Sequence, residues 1–343
     1  MKRKILLIYT GGTIGMIKEY STGTLKPFDF NALLKHIPEI ELIDADIDIN
    51  VFEKPIDSSD IDIHDWITLG NILENSYFKY DGFVILHGTD TMSYTASMMS
   101  FMLQGLKKPV VFTGSQLPIG ELRTDAKENL ITSIYYASLY ENDKPVINEV
   151  CIYFEYKLYR ANRTTKFSAE HFDAYISPNY PKLGESGVNL GVFKEYLLKP
   201  GHTDFKVNKN LVNKIDIFTF FPGKNKYLLD RMVSDNDLEG IILRTFGSGN
   251  IPSDKETLRA LHKAKELGKE IIVITQCVRG NVNFGKYHNS LIFKDLGVIC
   301  GYDITVEAAT TKLMYLLGQN LKGNVLKKQF EENLSGEITQ KYK

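Results

Sequence analysis

Three stretches of this chain break from apolar residues into glycine and a hydroxyl side chain. "LLIYTGGT" ends at residues 10–13, "FVILHGTDT" at 88–91 and "VVFTGSQ" at 113–116. Glycine at such a turn lets main-chain N–H groups come close to a ligand. A threonine hydroxyl attacks a carbonyl only when a base or a nearby charge activates it. The segment "LYRANRTTKFSAEHFDA" offers Lys166, and "HGTDT" offers Asp90. A carboxylate paired with the lysine can organise Thr89, the ammonium and a water as a proton relay. Each residue also has a local reading. Thr13, Thr89 and Thr91 suit helix N-caps, Asp90 a helix-start carboxylate, Ser115 and Gln116 turns, and Lys166 a solvated surface. None of these local readings accounts for the recurrence at three strand ends.

In open α/β sheets, ligands collect beyond the carboxyl ends of parallel strands, where neighbouring loops converge. Strands are expected at 4–9, 49–53, 82–87, 110–113 and 149–156, with helical stretches between them. The five residues from Ile5 to Tyr9 suit a central parallel strand. Leu130, Ile134 and Ala137 mark one face of a helix over 124–140. From 172 to 212 the pattern dissolves into "SPNYPKLGESG" and "LKPGHTDF", an irregular connector or edge hairpin followed by a linker, with a boundary near Asn208. Strands resume near 215–221, 240–244 and 270–275. Ser253 and Glu256 read as a capping box, and Gly268 as the glycine that ends that helix. The expected architecture is α/β in two domains: a larger N-terminal one (1–190), mostly parallel sheet flanked by helices, a linker (191–212) and a smaller C-terminal α/β domain (213–343).

Lys plus Arg total 41 against 42 for Asp plus Glu. This balance excludes a broad nucleic-acid footprint and leaves small anionic ligands open. Met1-Lys2-Arg3-Lys4 imitates a signal peptide, but the apolar run stops at Tyr9 with no small-residue cleavage site, so it reads as a lead-in to the first strand. No stretch approaches a membrane span. Cys151, Cys277 and Cys300 are odd in number and widely spaced, which points to a reducing compartment, the cytoplasm. The seven histidines form no close pair and there is no Cys-x-x-Cys, so no metal site is expected. A dinucleotide fingerprint would need glycine at residues 10, 12 and 15. Thr10 fills the first place, and "INVFEKPIDSSD" gives no convincing acidic residue at the second strand's end.

In order and spacing, "YTGGTIG", "DSSD", "ILHGTDTM", "TGSQLP" and "YRANRTTK" resemble the bacterial-type L-asparaginases, and the cytoplasmic type I branch in particular. The resemblance extends from Ile5 to "GYDITVEAATTKLMYLL". It implies hydrolysis of the side-chain amide of L-asparagine to L-aspartate and ammonia, without cofactor or metal. By it, Thr13 is the nucleophile that forms an acyl-enzyme, and Thr89 its partner beside Lys166 and Asp90. Asp90 also holds the substrate α-ammonium, Ser58 and neighbouring loop groups hold its α-carboxylate, and Asp57 and Ser59 count among the substrate-binding residues. Backbone N–H groups near Thr89 and Ser115 serve as oxyanion donors, because developing charge needs fixed dipoles.

The resemblance has departures. The secreted branch uses a tyrosine after the first threonine, where "YSTGTLKPF" has Leu25, with Tyr20 upstream. Ser59 stands where that branch has glutamine, which implies different contacts to the α-amino group and weaker use of glutamine. "YENDKPVINE" reads as a surface insertion. Type I relatives work as homodimers or homotetramers in which a neighbour's second domain closes the site, and some carry a regulatory asparagine site. Its matching positions are Thr165, Arg244, Asn250, Thr275, Gln276 and Cys277. Locally, Arg244 reads as a strand-end partner and Cys277 as inert packing. Other readings are a catalytically silent amino-acid sensor and an amidase with glutamine or other amide substrates. Two related amidases differ by what accompanies them: the one serving a transfer-RNA amidotransferase carries an extra N-terminal domain, and the one acting on lysophospholipid carries ankyrin repeats.

Overall fold

The computed structural model describes residues 2–18, 25–27, 37–225, 227–284 and 288–339. The chain divides into two compact units, Met1–Ser177 with Pro181–Lys209, and Pro178–Tyr180 with Asn210–Lys343.

The first unit is built on an eight-stranded sheet. In chain order its strands are β1 (Arg3–Gly11), β2 (Ala45–Ile56), β3 (Gly82–Leu86), β4 (Val110–Thr113), β5 (Val150–Phe154), β6 (Lys157–Arg160), β7 (Gly184–Ser186) and β8 (Leu190–Val192). Their spatial order is β8-β7-β6-β5-β4-β3-β1-β2. The five strands from β5 to β2 are mutually parallel, and the β6–β8 edge is antiparallel. β1 is an inner strand between β3 and the edge strand β2, not the middle of the sheet, with Ile5 through Tyr9 all buried; each such aliphatic side chain contributes about 1.5–3 kcal/mol.

Helices α1 (Ile63–Ser76), α2 (Met92–Met102) and α3 (Ala126–Ala137) belong to this unit. A reciprocal capping box between Asp62 and Asp65 starts α1. α2 is buried on nearly every side. α3 buries Leu130, Ile134 and Ala137, the face its periodicity marks.

Several boundaries differ from the sequence reading. The strand expected at 149–156 ends at Phe154, and the chain turns at Glu155 (φ 42) and Tyr156 (φ 66) into β6. Neither turn residue is glycine or asparagine, so the turn carries no sequence signal. Asn129 Oδ1 holds it by accepting from Glu155 N (3.1 Å). The edge hairpin expected after 172 is β7–β8. The span read as a linker holds the end of β8 and the pair Lys206–Val207, bonded to Leu103–Gln104. The insertion at 140 is a small hairpin turning at Asn142 and Asp143, both at positive φ.

The second unit has a parallel sheet of β9 (Ile215–Thr219), β10 (Gly240–Thr245), β11 (Glu270–Thr275) and β12 (Ile299–Cys300), in that order. Its helices are α4 (Tyr227–Ser234), α5 (Lys255–Glu266), α6 (His288–Asp295), α7 (Val306–Gly318) and α8 (Gly323–Glu331). The cap of α5 is Asp254, not Ser253: its carboxylate accepts from Thr257 N (3.0 Å) and Thr257 Oγ1 (3.0 Å). Each carboxylate oxygen serves one of the two groups. Gly268 (φ 68) ends the helix, with Lys269 N bonded to Ala264 O. On α7, the fully buried Lys312 pairs with Glu337 and donates to the carbonyls of Phe330 and Glu332 (2.6 Å each), anchoring the segment after α8.

Candidate active site

Glycine brings the loops beyond β1, β2, β3 and β4 together. A Cβ on Gly12 (φ 90) would lie 2.5 Å from Gly88 Cα, and one on Gly88 2.5 Å from Ser58 Oγ. On Gly114 it would lie 2.4 Å from His87 O. Real Cβ atoms do not approach so closely, so the loops after β1, β3 and β4 meet main chain against main chain, and Gly88 leaves room for the Ser58 side chain. The first hydroxyl of two strand ends is used inside the sheet: Thr10 Oγ1 donates to Leu86 O (3.0 Å) and Thr113 Oγ1 to Tyr153 O (2.9 Å). Gly15 leaves room for the Tyr9 ring, whose hydroxyl burial pushes up to about 12.

Thr13 opens a short turn, Thr13–Gly15, whose N-cap is Gly12 and which has no side-chain cap. The half-buried Thr13 hydroxyl forms no hydrogen bond among the described residues, so the capping reading fails. Thr91 does stand at the N-cap of α2, but its hydroxyl donates to Ser58 O (2.6 Å) rather than to the helix. Tyr20 lies outside the described residues, as does the Leu25 side chain.

Lys166 Nζ donates to Thr89 Oγ1 and to Asp90 Oδ1, both at 2.7 Å. The Lys166 side chain is 17% exposed and that of Asp90 67%, so the lysine faces inward and the carboxylate keeps an open side. This arrangement replaces the solvated-lysine and helix-start readings. Thr89 Oγ1 donates in turn to Gln116 Oε1 (3.1 Å). A two-residue ladder pairs Lys166 with Tyr175, and the Tyr175 hydroxyl donates to the Thr89 carbonyl. Ser115 is buried and its hydroxyl closes a turn onto Leu117 O (2.6 Å).

Two buried networks hold these loops. Asp125, at the start of α3, accepts from Gln116 N (2.9 Å) and Leu117 N (3.1 Å), while Asn129 Nδ2 donates to Gly114 O (3.0 Å). Burial raises the Asp125 pKa, and the two main-chain donors oppose the rise. His87 Nδ1 lies 2.7 Å from Gly88 O, which can only accept, so Nδ1 carries the hydrogen. Its Nε2 meets Thr95 Oγ1 (2.9 Å), which accepts from Trp66 Nε1 (2.9 Å). Burial drops His87 to about 4 and keeps it neutral.

In the "DSSD" turn, Ser58 is buried while Asp57 and Ser59 are exposed. Asp57 accepts from Ser59 N (3.0 Å) and Ser59 Oγ (2.9 Å), and these bonds lower its pKa. The arginines before Lys166 are structural: Arg163 is buried, and Arg160 Nε pairs with the buried Glu149 (2.6 Å). Sequence reasoning passed over Gln116, Tyr175, Asp125 and His87 as site residues. Only Gln116 and His87 adjoin motifs that could have pointed to them.

Of the expected regulatory positions, Thr165 sits on the ladder in the first unit. In the second, Gln276 Nε2 donates to Phe220 O (2.7 Å) and Arg244 O (2.8 Å), and Thr275 Oγ1 to Gly247 O (2.6 Å). Asn250 bridges to Phe246. Cys277 is exposed, not packed. Arg244 Nε is buried without a hydrogen-bond partner among the described residues. Among those residues no group of His, Cys, Asp and Glu is placed to hold a metal ion, and no helix is long and apolar enough to cross a membrane.

An α/β unit whose parallel strand ends gather threonine, lysine and aspartate, joined to a second parallel-sheet unit, defines a class. The chain belongs to the asparaginase family: residues 4–197 match the model "Asparaginase, N-terminal" and 214–330 the model "Glutaminase/Asparaginase C-terminal domain". It is 40% identical to L-asparaginase 1 of Escherichia coli K12 over 339 residues, 98% of each chain. It is 38% identical to the 60 kDa lysophospholipase of Mus musculus, covering 98% of this chain and 63% of that one. L-asparaginase I from Vibrio cholerae superposes with a TM-score of 0.90 at 39% identity, covering 99% of this chain and all of that one.

Proposed function

We propose that this chain hydrolyses the side-chain amide of L-asparagine to L-aspartate and ammonia. The observation that carries the reading is Lys166 Nζ at 2.7 Å from both Thr89 Oγ1 and Asp90 Oδ1, beside the loop against which Gly12 sets Thr13. Thr13 Oγ1 attacks the amide carbon, and its proton passes through Thr89 to the Lys166 amine, whose ammonium Asp90 stabilises. Collapse of the tetrahedral adduct breaks the C–N bond, and the proton leaves with ammonia. Water then attacks the acyl-enzyme by the same route and restores Thr13. The backbone N–H groups of Thr89 and Ser115 form no hydrogen bond among the described residues, which supports their use as oxyanion donors. Asp90 Oδ2 takes the substrate α-ammonium, and the hydroxyl-bearing Ser58 and Ser59 its carboxylate end.

The test is a coupled ammonia assay with asparagine and with glutamine across a concentration range. Ammonia and aspartate in equal amounts, lost in Thr13→Ala, support the reading. Asparagine that binds in calorimetry yet releases no ammonia makes the chain a silent sensor instead.

A second reading concerns regulation. Arg244 Nε, without a partner among the described residues, favours an amino-acid site formed with Asn250, Thr275, Gln276 and Cys277 in the second unit. A hyperbolic asparagine saturation curve, unchanged by Arg244→Ala, counts against it. We further place the enzyme in the cytoplasm as a homodimer or homotetramer. Three free cysteines and the exposed Phe221, Tyr227 and Leu228 agree with that placement.

A further inference from the structure

We propose that Gln116 is a positioning residue that orients the Thr89 hydroxyl and thereby sets the rate at which the Lys166 relay passes a proton. The inference rests on the reaction proposed above. A hydroxyl has one hydrogen to give. Lys166 donates to Thr89 Oγ1, so that hydrogen turns to the acceptor within reach, Gln116 Oε1 at 3.1 Å. The amide cannot be reversed. Its other end faces the carbonyls of Ala169 (3.3 Å) and His171 (3.1 Å), which only accept, so the NH2 group must lie there. The backbone of Gln116 is fixed as well, because Asp125 captures its N–H.

With its hydrogen held by Gln116, Thr89 Oγ1 presents a lone pair to Lys166 and stabilises the ammonium. To pass a proton onward from Thr13, the hydroxyl must swing that hydrogen away from Gln116 and toward the Lys166 amine. Gln116 therefore favours the charged lysine and opposes the working one. Removing its acceptor lets the Thr89 hydrogen turn to the neutral amine at all times. The other charged or titratable groups around the pair are Asp90 on Lys166, Asp125 on the Gln116 main chain, Tyr175 on the Thr89 carbonyl, and His171 and Glu170 in the loop facing the amide. All of them remain when Gln116 is replaced.

The experiment compares wild type with Gln116→Met, which keeps length without an acceptor, and Gln116→Glu, which restores one. Neutron diffraction from the ligand-free wild type locates the deuterium on Thr89 Oγ1, and kcat and KM are measured for all three proteins at one pH. The deuterium is expected on the line to Gln116 Oε1. kcat is expected to rise about tenfold in Gln116→Met, the worth of one oriented hydrogen bond. KM stays within about twofold, as an effect exerted through Thr89 rather than on the substrate requires. Gln116→Glu brings kcat back to the wild-type level or below it. A deuterium turned to Lys166, a kcat unmoved or lowered in Gln116→Met, or one raised in Gln116→Glu overturns the assignment. The neutron readout stands whether or not any amide is cleaved, so wild type that releases no ammonia sinks the proposed reaction and leaves this inference to its own measurement.

Discussion

Replacing Gly12 by alanine tests whether main-chain contact sets the spacing of the site. Gly12 has φ 90 and ψ 170, a region open in practice only to glycine. An alanine there carries about 1–3 kcal/mol of backbone strain. Its Cβ would also lie 2.5 Å from Gly88 N and Cα and 2.9 Å from the His87 carbonyl carbon, all backbone atoms that cannot turn aside. Relief requires the loops after β1 and β3 to part by roughly 1 Å, and such overpacking costs about 1–3 kcal/mol more. The sum, about 2–6 kcal/mol, lies within the stability of a typical domain, so a folded but weakened protein is expected. Separating Thr13 from Thr89 by that distance is expected to lower kcat about 100-fold. Urea denaturation and the ammonia assay read the two effects. Gly268→Ala is the control: at φ 68, with no atom within 4 Å of its Cβ, it carries the backbone strain alone and leaves kcat unchanged. A Gly12→Ala protein with wild-type kcat would refute the locked-loop account.

Thr13→Ala and Thr89→Val should each reduce ammonia release about 1000-fold with little change in Tm, because neither hydroxyl holds the core together. Full activity in either variant removes that threonine from the mechanism. Lys312→Met leaves the Glu337 carboxylate buried without its cation and should cost about 3–5 kcal/mol in urea denaturation. The double variant Lys312→Met/Glu337→Gln should recover part of the loss, and a double variant as unstable as the single would contradict the pairing argument. His87 titrates at about 4 in the fold against 6.5 when free, so the unfolded chain takes up its proton first as pH falls. Its contribution is intact above pH 6.5 and declines as pH drops through 4, by about 3 kcal/mol in all. His87→Gln should flatten that acid-side slope, and an unchanged slope would assign the loss to other groups.

The strand ends were legible because an apolar run marks a buried strand, and the glycine and hydroxyl that follow mark the loop leaving it. Parallel order then made β1, β3 and β4 neighbours at one edge. The pairing of Lys166 with Thr89 joins residues 77 positions apart: residue chemistry and the family resemblance both suggested it, but sequence spacing could not supply the distance. Gln116 could not be told from an ordinary turn residue, because its role depends on carbonyls contributed from 53 and 55 residues away. Tyr175 lies on a ladder two residues long, too short to display an alternating pattern. The Glu155–Tyr156 turn was hidden because an asparagine on α3, not the turn's own composition, secures it. The α5 cap was misplaced by one residue because serine and aspartate stand side by side and either could serve locally.

The main-chain contacts among the loops after β1, β3 and β4 also bear on how such a protein can diverge. Spacing imposed by bare backbone owes nothing to the bulk of flanking side chains, so the surroundings of the pocket are free to drift. New amide preferences would then arise most readily at the exposed Asp57 and Ser59, which can change shape without prying the threonines apart.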